Sequence, residues 1–131
     1  MHRAALGRQI SVFLADDDAR FRRLLHSVLE EDGYVVVGEA GSADETLAAV
    51  GRGRPDVVVL DLVMEGADGL STLVALQAAH PGLPVLVISS LFDPVVEQEV
   101  LHHGARYLEK VEGIEALEQA IDALVAVERE R

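Results

Sequence analysis

Asp56-Val57-Val58-Val59-Leu60-Asp61 is an unbroken apolar run between two aspartates, followed by the loop Leu62 to Asp68. An apolar run of this length without alternation reads as a strand buried on both faces, and such strands belong to parallel sheets covered by helices. A carboxylate at its last position is costly in a dry core and is tolerated only at the solvent-facing end of the sheet. In open parallel sheets, that carboxyl end of the strands is where ligands bind. Asp61 therefore stands where chemistry usually happens, although from this stretch alone it reads equally as a strand-terminating residue that begins a turn.

The rest of the chain supplies the setting. Its 131 residues suit one domain with a single well-packed core, and half of them are hydrophobic. The absence of cysteine excludes a disulfide framework, a thiol nucleophile and a thiolate metal site. The longest apolar runs are strand-length, far short of a membrane span. Met1 to Gln9 carries His2, Arg3 and Arg8 and reads as a flexible arm, not a secretory signal. A soluble cytoplasmic protein is expected. The net charge of −12 argues against direct binding to nucleic acid or to an acidic membrane, both of which need a basic footprint. Lys110 is the only lysine in the chain.

Taken in order, Ile10 to Ala15 is a first strand running into Asp16-Asp17-Asp18. Phe21, Leu24, Leu25, Val28 and Leu29 then recur at helical spacing, with Arg20, Arg22 and Arg23 between them and Asp18 as the cap. Gly33 stops that helix, and Tyr34 to Val37 is a second strand. Ser42 and Glu45 form a capping box for a second helix that ends near Gly51. After the central strand, Asp68 caps a third helix carrying Leu70, Leu73, Val74 and Leu76, which His80-Pro81-Gly82 stops. Leu83 to Ser89 is a fourth strand, and Asp93-Pro94 opens a fourth helix that Gly104 closes. Ala105 to Lys110 is a short fifth strand. The last helix puts Ile114, Leu117, Ile121 and Leu124 on one face and frays at residues 128–131. The domain proper is expected over residues 10–127. Alternating strands and helices with short loops predict an α/β fold: a five-stranded parallel sheet, doubly wound with helices on both faces, in the order 2-1-3-4-5.

In that topology the ends of strands 1, 3, 4 and 5 bring Asp16 and Asp17, Asp61, Ser89 and Lys110 to one edge. Three converging carboxylates repel one another, so a divalent cation or a proton must relieve them. Hard oxygen ligands suit magnesium, which keeps part of its water shell and binds beside phosphate. A hydroxyl and an ammonium facing the metal complete a site for a tetrahedral anion. The chemistry described is phosphoryl transfer to a carboxylate.

Four motifs stand in register: Phe-Leu-Ala-Asp16-Asp17; Val-Val-Leu-Asp61-Leu-Val-Met64 with Asp68-Gly69; Val-Ile-Ser89-Ser90; and Gly104-Ala105 leading to Tyr107 and Lys110. On these the chain resembles the receiver domain of two-component response regulators, a flavodoxin-like fold, over about Ile10 to Val127. The resemblance implies that Asp61 is phosphorylated by a histidine kinase or phosphotransfer protein. It implies that Asp16, Asp17, Asp61 and the backbone carbonyl of Val63 bind Mg2+. Ser89 and Lys110 would contact the phosphoryl group, Tyr107 would be a switch aromatic, and the protein would catalyse transfer only to and from its own Asp61. An unknown downstream effector is expected, and a homodimer is left open. Two positions depart from the family pattern, in which proline is usual: Glu65 and Val111. A trans bond and a reshaped loop are expected at Val111, since a cis bond without proline costs roughly 2.5–4 kcal/mol.

Other readings compete. Tyr107 suits a half-buried strand aromatic, and His102 and His103, adjacent on a helix, diverge and make no metal pair. A receiver-like module that only binds and is never phosphorylated would keep the fold without the chemistry. A phosphohydrolase using Asp16 and Asp18 meets Arg20 where that class wants Thr or Val, and leaves Asp61 unexplained. A flavodoxin-like cofactor binder fails on the three aspartates after strand 1. Val35 to Ala40 and the Asp-Asp motif resemble receivers that carry a C-terminal helix-turn-helix domain. By resemblance, the side chains flanking the path of a hydrolytic water lie two residues after Asp61 and two after Ser89. These are Val63 and Leu91; both are apolar, so a long-lived phosphorylated form is expected. Arg20, Arg22 and Arg23 form the expected kinase-docking face.

Overall fold

The computed structural model describes residues 9–64 and 67–130. The N-terminal arm, Glu65 and Arg131 therefore lie outside, or almost wholly outside, the described residues. Five strands form one parallel sheet: β1 (Ser11–Ala15), β2 (Val35–Ala40), β3 (Val57–Asp61), β4 (Val85–Ser89) and β5 (Arg106–Glu109). Their order is β2-β1-β3-β4-β5, the predicted one. Between them run α1 (Ala19–Glu31), α2 (Ala43–Arg52), α3 (Gly69–Ala79), α4 (Pro94–His102) and α5 (Ile114–Arg129). A two-residue antiparallel ladder, Val63–Met64 against Ala67–Asp68, folds the β3–α3 loop back on itself.

The three inner strands are continuous apolar runs because both faces of the sheet are covered. On one face α1 and α5 deliver Leu25, Leu29, Leu117, Ile121 and Val125 against Val12, Leu14, Val57, Val59, Leu86 and Ile88. On the other, α2, α3 and α4 deliver Val50, Leu73, Leu76 and Val100 against Phe13, Val58, Leu60, Val85 and Val87. Leu24 and Val74, which share the helical period of these residues, are instead exposed. A period identifies a stripe; it does not say where the stripe's edge meets solvent.

The caps follow the local chemistry of the sequence. Asp18 Oδ1 accepts from the amides of Arg20 and Phe21, Asp68 Oδ1 from that of Ser71, and Asp93 Oδ1 from those of Val95 and Val96. Only half of the Ser42–Glu45 box forms: Ser42 Oγ accepts from the Glu45 amide and donates its own proton to the Glu45 carboxylate. Helix α5 continues through Arg129, whose guanidinium reaches Asp56 Oδ2 at 3.5 Å and ties the helix to the start of β3.

Strand β2 contains an irregularity. Val12 pairs with Val36 and Phe13 with Gly38, so Val37 is an extra residue on the outer strand. Gly38 is required there, since a Cβ would lie 2.7 Å from the Phe13 ring.

Candidate functional site

The ends of β1, β3 and β5 converge on one acidic hollow. Asp16 directly follows β1; its amide donates to the carbonyl of Ala40 at the end of β2, and its Oδ1 accepts from the amide of Asp18 at 2.9 Å. Asp61 ends β3. The next amide, of Leu62, donates to the Ile88 carbonyl at 2.8 Å, which carries the sheet one residue beyond Asp61. The Val63 amide turns back to Asp61 Oδ1 at 3.3 Å. Gly69 holds this loop down: a Cβ there would sit 2.3 Å from the Leu62 carbonyl oxygen, so only glycine admits the close approach.

Asp16, Asp17 and Asp61 each bring an oxygen within 4.8 Å of the others. Asp16 and Asp61 are buried and Asp17 is exposed. Lys110 opens a 3-10 turn, Lys110–Glu112, at the end of β5. Its Nζ lies 2.8 Å from Asp16 Oδ2 and 3.5 Å from Asp61 Oδ2. The ammonium also sits 4.4 Å from the centre of the Phe21 ring, a cation–π contact from the first turn of α1. The Glu112 carboxylate closes the turn by accepting the Glu109 amide at 3.0 Å, and the peptide bonds of the described residues, that before Val111 included, are trans.

The electrostatics follow from this geometry. Burial, and then the neighbouring Asp16 carboxylate, push Asp61 up to about 7 against the pull of Lys110. For Lys110, burial is the largest single influence and acts downward, yet its contacts with Asp16 and Asp61 together outweigh it and hold the ammonium above its ordinary range. Relief of the acid cluster, assigned from the sequence to a cation or a proton, is thus partly supplied by the protein itself.

The donor set fits a hard divalent cation. It is all oxygen, and the buried Asp16 Oδ2 faces Lys110 without a well-aligned hydrogen bond. The three sequence-predicted carboxylates and Lys110 do come together. Ser89 and Tyr107 both hydrogen-bond to Leu91. The buried Ser89 hydroxyl donates to the Leu91 carbonyl at 2.7 Å and accepts the Leu91 amide at 3.1 Å. The Tyr107 hydroxyl donates to that same carbonyl at 3.1 Å, with its ring buried. The side chains of Val63 and Leu91 are exposed.

Arg22 departs from expectation. Its guanidinium turns inward, donating from Nη1 to the Asp16 carbonyl and from Nε to Glu39 Oε1 at 3.0 Å, while His26 Nδ1 meets the other Glu39 oxygen. Arg20 and Arg23 alone of the three stay exposed. The sequence signal for this contact was a charged residue, Glu39, one position before the end of an otherwise apolar strand. Phe21 beneath Lys110 carried no comparable signal, because its spacing is that of a core residue.

Among the described residues no helix is long and apolar enough to cross a membrane. Residues 12–122 match the family model of the response regulator receiver domain. The chain is 32% identical over 122 residues to the response regulator GacA of Pseudomonas viridiflava, covering 92% of this chain and 57% of that protein. It is 36% identical over 99 residues to protein-glutamate methylesterase/protein-glutamine glutaminase 3 of Hahella chejuensis, covering 73% of this chain but 28% of that one. The chain thus spans a minor part of the methylesterase and little more than half of the regulator. Among solved structures, the receiver domain of the putative response regulator NarL from Mycobacterium tuberculosis superposes with a TM-score of 0.79 at 28% identity, over 95% of this chain and 99% of that one. The CheY-like receiver domain protein of Methanospirillum hungatei shares the fold, with a TM-score of 0.87 at 20% identity, over 94% and 98% of the two chains. A parallel sheet ending in an acid cluster beside its lone lysine, together with this match over most of its length, makes the chain a member of the response regulator receiver domain family of two-component signalling.

Proposed function

We propose that Asp61 accepts a phosphoryl group from a histidine kinase or phosphotransfer protein, and that the change is relayed by a conformational switch to a downstream effector in the cytoplasm. In the transfer a phosphorus–nitrogen bond of the donor breaks as a phosphorus–oxygen bond to Asp61 forms. The observation that carries this reading is the convergence of Asp16, Asp17 and Asp61 on one hollow with the Lys110 ammonium between two of them. Asp16, Asp17, Asp61 and the Val63 carbonyl would hold Mg2+, which when bound neutralises charge on the incoming phosphoryl oxygens.

The chain's own residues do the rest. Lys110 offers a fixed positive charge to the charge that develops in transfer. Burial lowers the local dielectric and strengthens that interaction. Ser89 donates to the phosphoryl group once its hydroxyl leaves Leu91, and Tyr107, bonded to the same carbonyl, follows that movement. The exposed apolar side chains of Val63 and Leu91 give an attacking water no hydrogen-bond partner, so the acyl phosphate is long-lived. The net charge of −12 supports protein partners over nucleic acid. No turnover of an external substrate is proposed.

Mass spectrometry after incubation with magnesium and acetyl phosphate tests the reading. Wild type should gain one labile phosphoryl adduct, lost in Asp61→Asn. A wild-type chain that gains none is a module that binds without being phosphorylated.

A further inference from the structure

Phosphoryl acceptance by Asp61 gives no task to Arg22, although its guanidinium is the most elaborately held cation on α1. Three contacts fix Asp16, two through its backbone and one through its side chain. Its amide goes to Ala40, its Oδ1 takes the Asp18 amide, and its carbonyl takes Arg22 Nη1. That carbonyl belongs to the peptide joining Asp16 to Asp17. Asp17 is exposed, so the direction in which its carboxylate leaves the chain depends on how this peptide is turned.

Arg22 is itself held from behind. Glu39, at the far end of β2, accepts from Arg22 Nε through one oxygen and from His26 Nδ1 through the other. Burial acts to raise the Glu39 carboxyl, but the bonds from His26 and Arg22 outweigh it and hold the group below its usual range. The chain of contacts thus runs from β2 through Glu39 and Arg22 to the peptide that presents two of the three carboxylates. A guanidinium spans carboxylate and carbonyl at once because its donors form a rigid fork; a lysine ammonium on a flexible stem does not reproduce this.

We infer that Arg22 is a positioning residue for the cation site: it fixes the Asp16–Asp17 peptide against β2, so that both carboxylates are preset for the metal. The inference rests on the assignment of Asp16, Asp17 and Asp61 as a magnesium site. Partners that orient metal ligands from behind are worth about tenfold or more in metal affinity. An ion pair that only fastened α1 to β2 would leave metal affinity untouched.

The test is a titration with Mn2+, a stand-in for Mg2+, with free Mn2+ read by electron paramagnetic resonance, on wild type, Arg22→Lys and Val50→Ala. Val50 is fully buried in α2 on the opposite face of the sheet, so Val50→Ala lowers stability without touching the site. Arg22→Lys should bind about tenfold more weakly, with adduct formation on Asp61 restored at saturating metal. Val50→Ala should lower the melting temperature and bind as wild type does. Equal affinity in Arg22→Lys and wild type overturns the positioning role alone. The same follows if Val50→Ala loses as much affinity as Arg22→Lys. A wild-type chain that takes up no Mn2+ overturns the magnesium-site assignment, and the role of Arg22 with it.

Discussion

The Lys110 ammonium stands 2.8 Å from Asp16 Oδ2 and 3.5 Å from Asp61 Oδ2, so the lysine after β5 is held more closely by the carboxylate after β1 than by the proposed phosphoacceptor. With no cation bound, this ammonium offsets part of the charge of the buried acid pair. Lys110→Met should therefore destabilise the metal-free protein by roughly 3 kcal/mol, because removing one partner leaves a buried charge uncompensated. Magnesium should recover much of the loss. Urea unfolding in chelator and in excess Mg2+ compares the two; a loss of the same size in both would refute the shared role of lysine and metal.

Asp61 sets a pH dependence whose sign is fixed by its upward shift to about 7. In the unfolded chain the carboxyl titrates near its ordinary value, so between that value and 7 the folded state holds the extra proton. Its stabilising contribution is complete at acid pH and is lost as pH rises through 7. In chelator, Asp61→Asn should exceed wild type in stability by roughly 2 to 4 kcal/mol at pH 8, and the gap should close towards pH 4. Equal stabilities at pH 8 would show that burial does not raise Asp61.

Two glycines make opposite predictions. Gly69→Ala drives a methyl group into the Leu62 carbonyl and should cost about 2 kcal/mol, with weaker phosphoryl acceptance as the loop behind Asp61 shifts. Gly51 lies in α2 with nothing within 4 Å of an added Cβ, so Gly51→Ala should stabilise by about 0.5–1 kcal/mol. Chemical unfolding of both variants checks the pair.

The lifetime of the acyl phosphate should respond to its flanks. Val63 and Leu91 are 68% and 73% exposed, so polar replacements there are accommodated without repacking a core. Val63→Asn with Leu91→Glu should supply partners for an attacking water and speed loss of the phosphoryl group by roughly tenfold. Phosphate release after removal of the donor measures it. Decay no faster than wild type would show that the apolar pair does not set the lifetime.

The strand order and the convergence of Asp16, Asp17, Asp61 and Lys110 were legible because the three inner strands are apolar runs, each ended or followed at once by an acidic or hydroxyl residue, and the lone lysine follows β5. Parallel topology then brings those stops to one edge. The caps at Asp18, Asp68 and Asp93 were legible because capping is local. The directions of side chains were not. Ser89 spends its hydroxyl on Leu91, two residues away, a local bond that strand topology does not foretell. Arg22 reads as one of three like charges on a helix turn. Only its distance from Glu39, 17 positions on and brought near by β2, separates it from Arg20 and Arg23.

The extra residue at Val37 bears on how one chain meets another. An open sheet has two raw edges, each able to recruit a further strand. On the β2 side, the register slip between Val36 and Gly38 breaks the row of amides and carbonyls that an incoming strand must match. On the other side, β5 is four residues long and carries Arg106 and Glu109 at its ends. A protein that half consists of hydrophobic residues thus offers no long, even border for edge-to-edge polymerisation, and the small kink that seats Phe13 over Gly38 also guards against fibres.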